Sequence, residues 1–140
     1  MSTNPYAQFN QQIIDEFRAN DGDVSSNGFG KNLVLLHHFG AKSGTERVTP
    51  LMALRTEHGT WWIAASKAGA PDNPDWYHNL LAHPDVTIEE PGEGTVSVHV
   101  TKLEGAAREA AWARFTAMPA FKAYEEKTSR VIPVVELRRR

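Results

Sequence analysis

Tyr6, Phe9, Ile13, Ile14 and Phe17 recur at helical spacing, so residues 5–18 are expected to form an amphipathic helix. Asn4 suits its N-cap and Pro5 its first position, and Asn20-Asp21-Gly22-Asp23 stops it. The period then shortens. Residues 32–39 are a short apolar run ending at Gly40, the pattern of a buried strand, and residues 47–57 read as a second strand. His58-Gly59 is turn chemistry and residues 60–65 read as a third strand, closing a hairpin. Pro74 opens a short helix over 75–82, and Pro84 restarts the chain into a strand at 86–90. A turn at 91–94 leads to clean alternation over 95–101, a second hairpin. Alanine-rich residues 105–117 predict a helix broken at Met118-Pro119, with another at 120–128 and a last strand at 134–137.

About six mostly antiparallel strands joined by hairpins, with an N-terminal helix and short helices around them, predict an α+β domain built on a small antiparallel barrel. At 140 residues the chain is one domain, 1–140, with residues 1–22 as the N-terminal helix. The helix reads either as packed against the body or as a lid over a pocket; its acidic polar face argues against a helix lying on anionic lipid. The absence of cysteine excludes disulfide scaffolds, thiolate metal sites and cysteine nucleophiles. No apolar run reaches the roughly 20 residues that span a bilayer, and the first residues lack the features of a secretory leader. A cytoplasmic protein with at most peripheral membrane contact is expected.

The net charge of −2 conceals an uneven distribution. Residues 71–100 hold six acidic and no basic groups, whereas residues 31–70 hold five basic and two acidic ones. A nucleic-acid partner would call for a broad basic excess; this pattern fits a local pocket for a small anion instead. The densest chemistry is Gly-Ala-Lys-Ser-Gly-Thr-Glu-Arg-Val-Thr-Pro-Leu (40–51), a small-residue loop between two strands. Its glycines let backbone N–H groups approach an anion, Lys42 adds a point charge and Arg47 a two-pronged guanidinium. Ala41 before Lys42, and a strand rather than a helix after it, separate the segment from a Walker A loop. Ala-Ala-Ser-Lys-Ala-Gly (64–69) again joins small residues to one cation and one hydroxyl. In the third segment, residues 73–84, Trp76 and Asn79 share a helix face. Each segment alone also reads as a plain loop, a core aromatic or a brace. His37 and His38 are neighbours in a strand and point to opposite faces, so they build no common metal site, and no metal is expected.

Four segments in register, namely 40–51, 64–69, Pro-Asp-Trp-Tyr-His-Asn-Leu (74–80) with His83-Pro84, and Thr-Ser-Arg-Val-Ile-Pro-Val-Val (128–135), resemble the deazaflavin-dependent nitroreductase family over nearly the whole chain. The resemblance implies a split β-barrel and coenzyme F420, an 8-hydroxy-5-deazaflavin with a phosphate and an oligo-γ-glutamate tail. It further implies cofactor contacts from Ala41, Lys42, Ser43, Gly44, Arg47, Val48, Thr49, Pro50 and Leu51. Ala64, Ala65, Ser66, Lys67, Ala68 and Gly69 would add a second group of contacts, and Asp75, Trp76, Tyr77, His78 and Asn79 a third. Lys42, Arg47 and Lys67 would grip the tail. Hydride from the deazaflavin C5 would pass to a quinone, an activated alkene such as an enone, or a nitro group. Ser66 and then Tyr124 are the candidate proton or hydrogen-bond donors. Met118 and Phe121, where nitroreductases carry tyrosines, favour flat apolar acceptors. The family resemblance implies a monomer or weak dimer. A flavin-mononucleotide oxidoreductase on the same barrel and a non-catalytic cofactor or lipid carrier stay open as alternatives.

Overall fold

A computed structural model describes residues 5–140. Helix α1 spans Pro5–Ala19, and Asn4 and the side chain of Tyr6 lie outside the described residues. Strands β1 (Leu33–Phe39), β2 (Glu46–Met52), β3 (Leu54–Arg55) and β4 (Trp61–Ala64) follow. Helix α2 (Asp75–Ala82) precedes β5 (Asp85–Glu90) and β6 (Gly94–Lys102); helices α3 (Gly105–Thr116) and α4 (Pro119–Lys127) precede β7 (Val134–Arg139).

The seven strands form one antiparallel sheet in the order β2-β1-β5-β6-β7-β4-β3. Its two outermost strands, β2 and β3, are consecutive in sequence and separated by Ala53 alone. One extended segment therefore supplies both edges, and the sheet must curl until they meet. The strand expected over 47–57 is thus two strands, broken where the chain passes from one edge to the other. Ala53 is buried in the inner core and donates its N–H to the Asn32 carbonyl at 3.0 Å.

Alternation along the strands sorts three apolar clusters. Inward residues of β1, β4, β5, β6 and β7 pack around Trp76, Tyr77 and Leu80 of α2, which plugs the curl. Outside β1, Leu33 and Leu35 meet Ile13, Ile14 and Phe17 of α1. Outside β7, Val134 meets Trp112 and Phe115 of α3 and Phe121 of α4. Ile13, Ile14 and Phe17 are each at most 5% exposed, so this face of α1 packs against the sheet. Arg18 fastens its end with two hydrogen bonds to Glu89 of β5, at 3.2 and 2.7 Å. No helix among the described residues is long and apolar enough to cross a membrane.

Candidate active site

Two adjoining hollows lie where β2, β4, α1 and α4 converge. One, of about 310 Å³, is lined by Phe29, Leu51, Met52, Ala64, Ser66, Lys67, Ala68, Trp76, Ala120, Phe121 and Tyr124. The other, of about 170 Å³, reaches under α1 to Phe9, Asn10 and Ile13 and shares Leu51, Met52, Ala64, Ser66, Phe29 and Phe121 with the first. The shared residues make them one cleft with an apolar floor, and Ser66, Lys67 and Tyr124 bring polar atoms to it. Of the expected site residues, the structure brings together Pro50, Leu51, Ala64, Ser66, Lys67, Ala68, Trp76 and Tyr124. Phe29 and Phe121 also line it; Phe29 stands in an irregular segment with no periodicity to mark it.

Other expected contacts sit elsewhere. Tyr77 and Ala65 point into the inner core, and Val48 packs towards α1. Gly69 is buried under α4, where an added Cβ would come within 3.0 Å of the Lys127 Cβ. Asp75 and His78 are exposed on α2.

The 40–45 turn is tied to α2, β1 and β2 by a chain of hydrogen bonds centred on the buried Asn79 and His38. Ala41 donates its N–H to Asn79 Oδ1 at 2.9 Å, Asn79 Nδ2 donates to His38 Nδ1 at 3.0 Å, and His38 Nε2 meets Thr49 Oγ1 at 2.9 Å. Asn79 is thus a brace and not a free contact. Burial, aided by the nearby Arg47 guanidinium and the adjoining His37, pushes His38 down to a pKa of about 4, so its ring is neutral at pH 7. Trp76 and Asn79 lie about one helical turn apart on α2, roughly 5 Å along its axis. The turn bearing Lys42, Ser43 and Gly44 is thus fastened to the same helix that brings Trp76 to the cleft. Cross-strand pairing puts Arg47 opposite His38 and Leu51 opposite Val34, and Arg47, Thr49 and Leu51 share one face of β2.

Lys42 and Arg47 are exposed and make no ion pair among the described residues, so both charges are available to an anion. Lys67 differs. It pairs with Asp72 at 3.2 Å, and that contact holds the Asp72 carboxyl below the usual carboxylate range. Both groups are exposed, and water screens such a pair, so a stronger anion can displace it.

A separate cavity of about 290 Å³ opens between the 56–60 and 90–94 turns. Its charges are already matched: Arg55 donates to the buried Glu90 at 2.8 Å, and Arg139 pairs with Glu93 while stacking 4.8 Å from the Trp61 ring. Trp61 and Ala64 place it roughly 10 Å away along β4. With no spare cation, it is a poor anion site. The described residues contain no group of three or more His, Asp or Glu able to hold a metal ion.

A profile of the F420H(2)-dependent quinone reductase family matches residues 10–138. An F420H(2)-dependent quinone reductase of Mycobacterium tuberculosis is 38% identical over 113 residues, which cover 76% of this chain and 73% of that protein. A solved structure described as an F420-H2 dependent reductase is 38% identical, covers 76% of this chain and 94% of its own, and superposes with a TM-score of 0.67. Another, described as a domain-swapped dimer, is 31% identical over 96% of this chain and 99% of its own, with a TM-score of 0.69.

Proposed function

Because the chain belongs to the F420H(2)-dependent quinone reductase family, we propose that its cleft holds the deazaflavin head of reduced coenzyme F420 and presents it to a quinone. The observation that carries this reading is the apolar cleft that gathers Ser66, Lys67, Trp76 and Tyr124, together with Lys42 on the 40–45 turn and Arg47 on β2, two exposed cations without an ion pair among the described residues. A flat aromatic head with an anionic tail asks for that combination. When bound, the reduced deazaflavin supplies a hydride from its C5 carbon.

The chain's own residues supply position, dryness and protons. Leu51, Met52, Ala64, Trp76 and Phe121 exclude water from the faces of the ring and contribute about 25 cal/mol for each Å² of apolar surface covered. Lys42 and Arg47 hold the tail, and Lys67 turns from Asp72 to join them. Negative charge builds on an acceptor oxygen as hydride arrives, and an oriented hydroxyl there lowers the barrier. Ser66 and Tyr124, both lining the cleft, are the groups that hold or deliver that proton. Phe9, Ile13 and Phe29 extend the cleft as an apolar surface for the acceptor, and flat enones or nitroarenes of similar shape fit the same space.

The test is a tryptophan-quenching titration with F420 and, in parallel, with flavin mononucleotide. F420 should bind more weakly at higher salt. Lys42→Ala and Arg47→Ala should each weaken it roughly two- to five-fold, as expected for exposed ion pairs. Salt-independent binding that survives the double variant would overturn the placement of the tail. Tight flavin mononucleotide binding without F420 binding would overturn the cofactor assignment.

A further inference from the structure

The loop after β4 has an uncommon backbone. Lys67 and Ala68 adopt φ of 45° and 53°, and Gly69 follows at 81°. Residues with a Cβ avoid this left-handed region because the Cβ crowds the following carbonyl. Two such residues in succession, ahead of a glycine that tolerates the region, persist only where the surroundings over-determine them. The loop's own bonds are two short turns, Gly69 N–H to the Ser66 carbonyl at 2.9 Å and Ala70 N–H to the Lys67 carbonyl at 3.0 Å.

Gly69 also packs beneath α4 and Lys67 pairs with Asp72, but the side chain that makes the most hydrogen bonds to the loop is distant in sequence. Arg130 Nη2 donates to the Ser66 carbonyl at 2.8 Å, Nε to the Ala70 carbonyl at 2.8 Å, and Nη1 to Asn73 Oδ1 at 2.7 Å. Those acceptors bracket the left-handed triplet from both sides. Among the described residues the guanidinium has no carboxylate within ion-pair distance, so all three bonds serve the loop. Its rigid planar fork matches three separate acceptors, which a lysine ammonium on a flexible stem does not. Ser66, Lys67 and Ala68, the residues so held, line the cleft.

We propose that Arg130 is a positioning residue: by clamping Ser66, Ala70 and Asn73 it holds residues 67–69 left-handed and thereby sets Ser66 and Lys67 against the bound cofactor. This rests on the F420 reading only for its effect on binding; the clamp itself is a property of the cofactor-free chain.

Two measurements separate these. In cofactor-free Arg130→Gln protein, amide exchange should quicken at least about tenfold at residues 68–70 while β1 and β5 keep their protection. F420 affinity should fall at least about tenfold in Arg130→Gln and by a similar factor in Arg130→Lys, which keeps charge and length. Adding Ala68→Gly to Arg130→Gln relieves the left-handed strain and should recover part of the lost affinity, about five-fold. Unchanged exchange in the loop, or Arg130→Lys binding F420 as the parent does, overturns the clamp. If Arg130→Gln fails to fold, Arg130→Lys carries both measurements. A parent protein that binds no F420 overturns the proposed function, while the exchange data still decide the role of Arg130.

Discussion

His38 lies 2% exposed beneath α2, and its two ring nitrogens join Asn79 to Thr49. Its pKa of about 4 against an ordinary 6.5 has a definite consequence for stability. Between those values the unfolded chain binds a proton that the folded chain refuses, so stability falls as pH drops through this window and is unaffected above it. The full loss is about 3 kcal/mol, of which about 2 kcal/mol should be present by pH 5. Urea midpoints at pH 7 and pH 5 check this. The parent should weaken at pH 5, and His38→Gln, though less stable at pH 7, should show little change between the two. Equal slopes in both proteins would remove His38 as the cause. The carboxyls that Arg18, Arg139 and His99 pull down, Glu89, Glu93 and Asp85, lose their stabilisation mainly below pH 5, outside the pH 7 to pH 5 comparison. Neither this role nor that of Arg130 was legible in the sequence. Asn79 lies 41 residues from His38, and Ser66 lies 64 from Arg130. Spacing and residue type show that two such groups exist, not that folding brings them together.

Helix α1 shows how one element divides its work by residue. Phe17 is 4% exposed in the cluster outside β1, while Phe9, eight residues earlier, is 46% exposed at the mouth of the cleft. Phe17→Ala should therefore cost about 3–5 kcal/mol in a urea titration. Phe9→Ala should leave stability nearly unchanged but raise the KM for a quinone several-fold, with F420 affinity intact. An unaltered acceptor KM in Phe9→Ala would take α1 out of the acceptor site. Deleting residues 1–20 is a poor test of the same idea, because it strips Ile13, Ile14 and Phe17 from a core. The elements read most faithfully from sequence are those with local punctuation. Pro74 and Pro84 bracket α2, which occupies 75–82 as the pattern expects, and the turns at 58–59 and 91–94 mark two hairpins. The break at Ala53 carries no such mark: β2 and β3 are both extended, and what separates them is the strands each one pairs with.

That break is where the whole molecule closes. Open sheet edges invite pairing with other chains; here β2 and β3 make both edges from a single segment, so the curl of the sheet and the continuity of the backbone are one constraint. Ala53 sits at the join with a side chain small enough for the inner core and an N–H bonded to Asn32. Towards β2 its neighbours Leu51 and Met52 line the cleft; towards β3, Arg55 reaches the buried Glu90 at the other cavity. A larger side chain at this point disturbs both ends. Ala53→Leu forces three more heavy atoms into a packed interior and should cost about 1–3 kcal/mol, seen as a lower urea midpoint with one cooperative transition. Amide exchange should rise in 46–52 and 54–55 together, and F420 affinity should weaken although residue 53 does not line the cleft. Parent-like stability, or faster exchange confined to one edge, would show that the two edges are held independently and that the cleft does not depend on the closure.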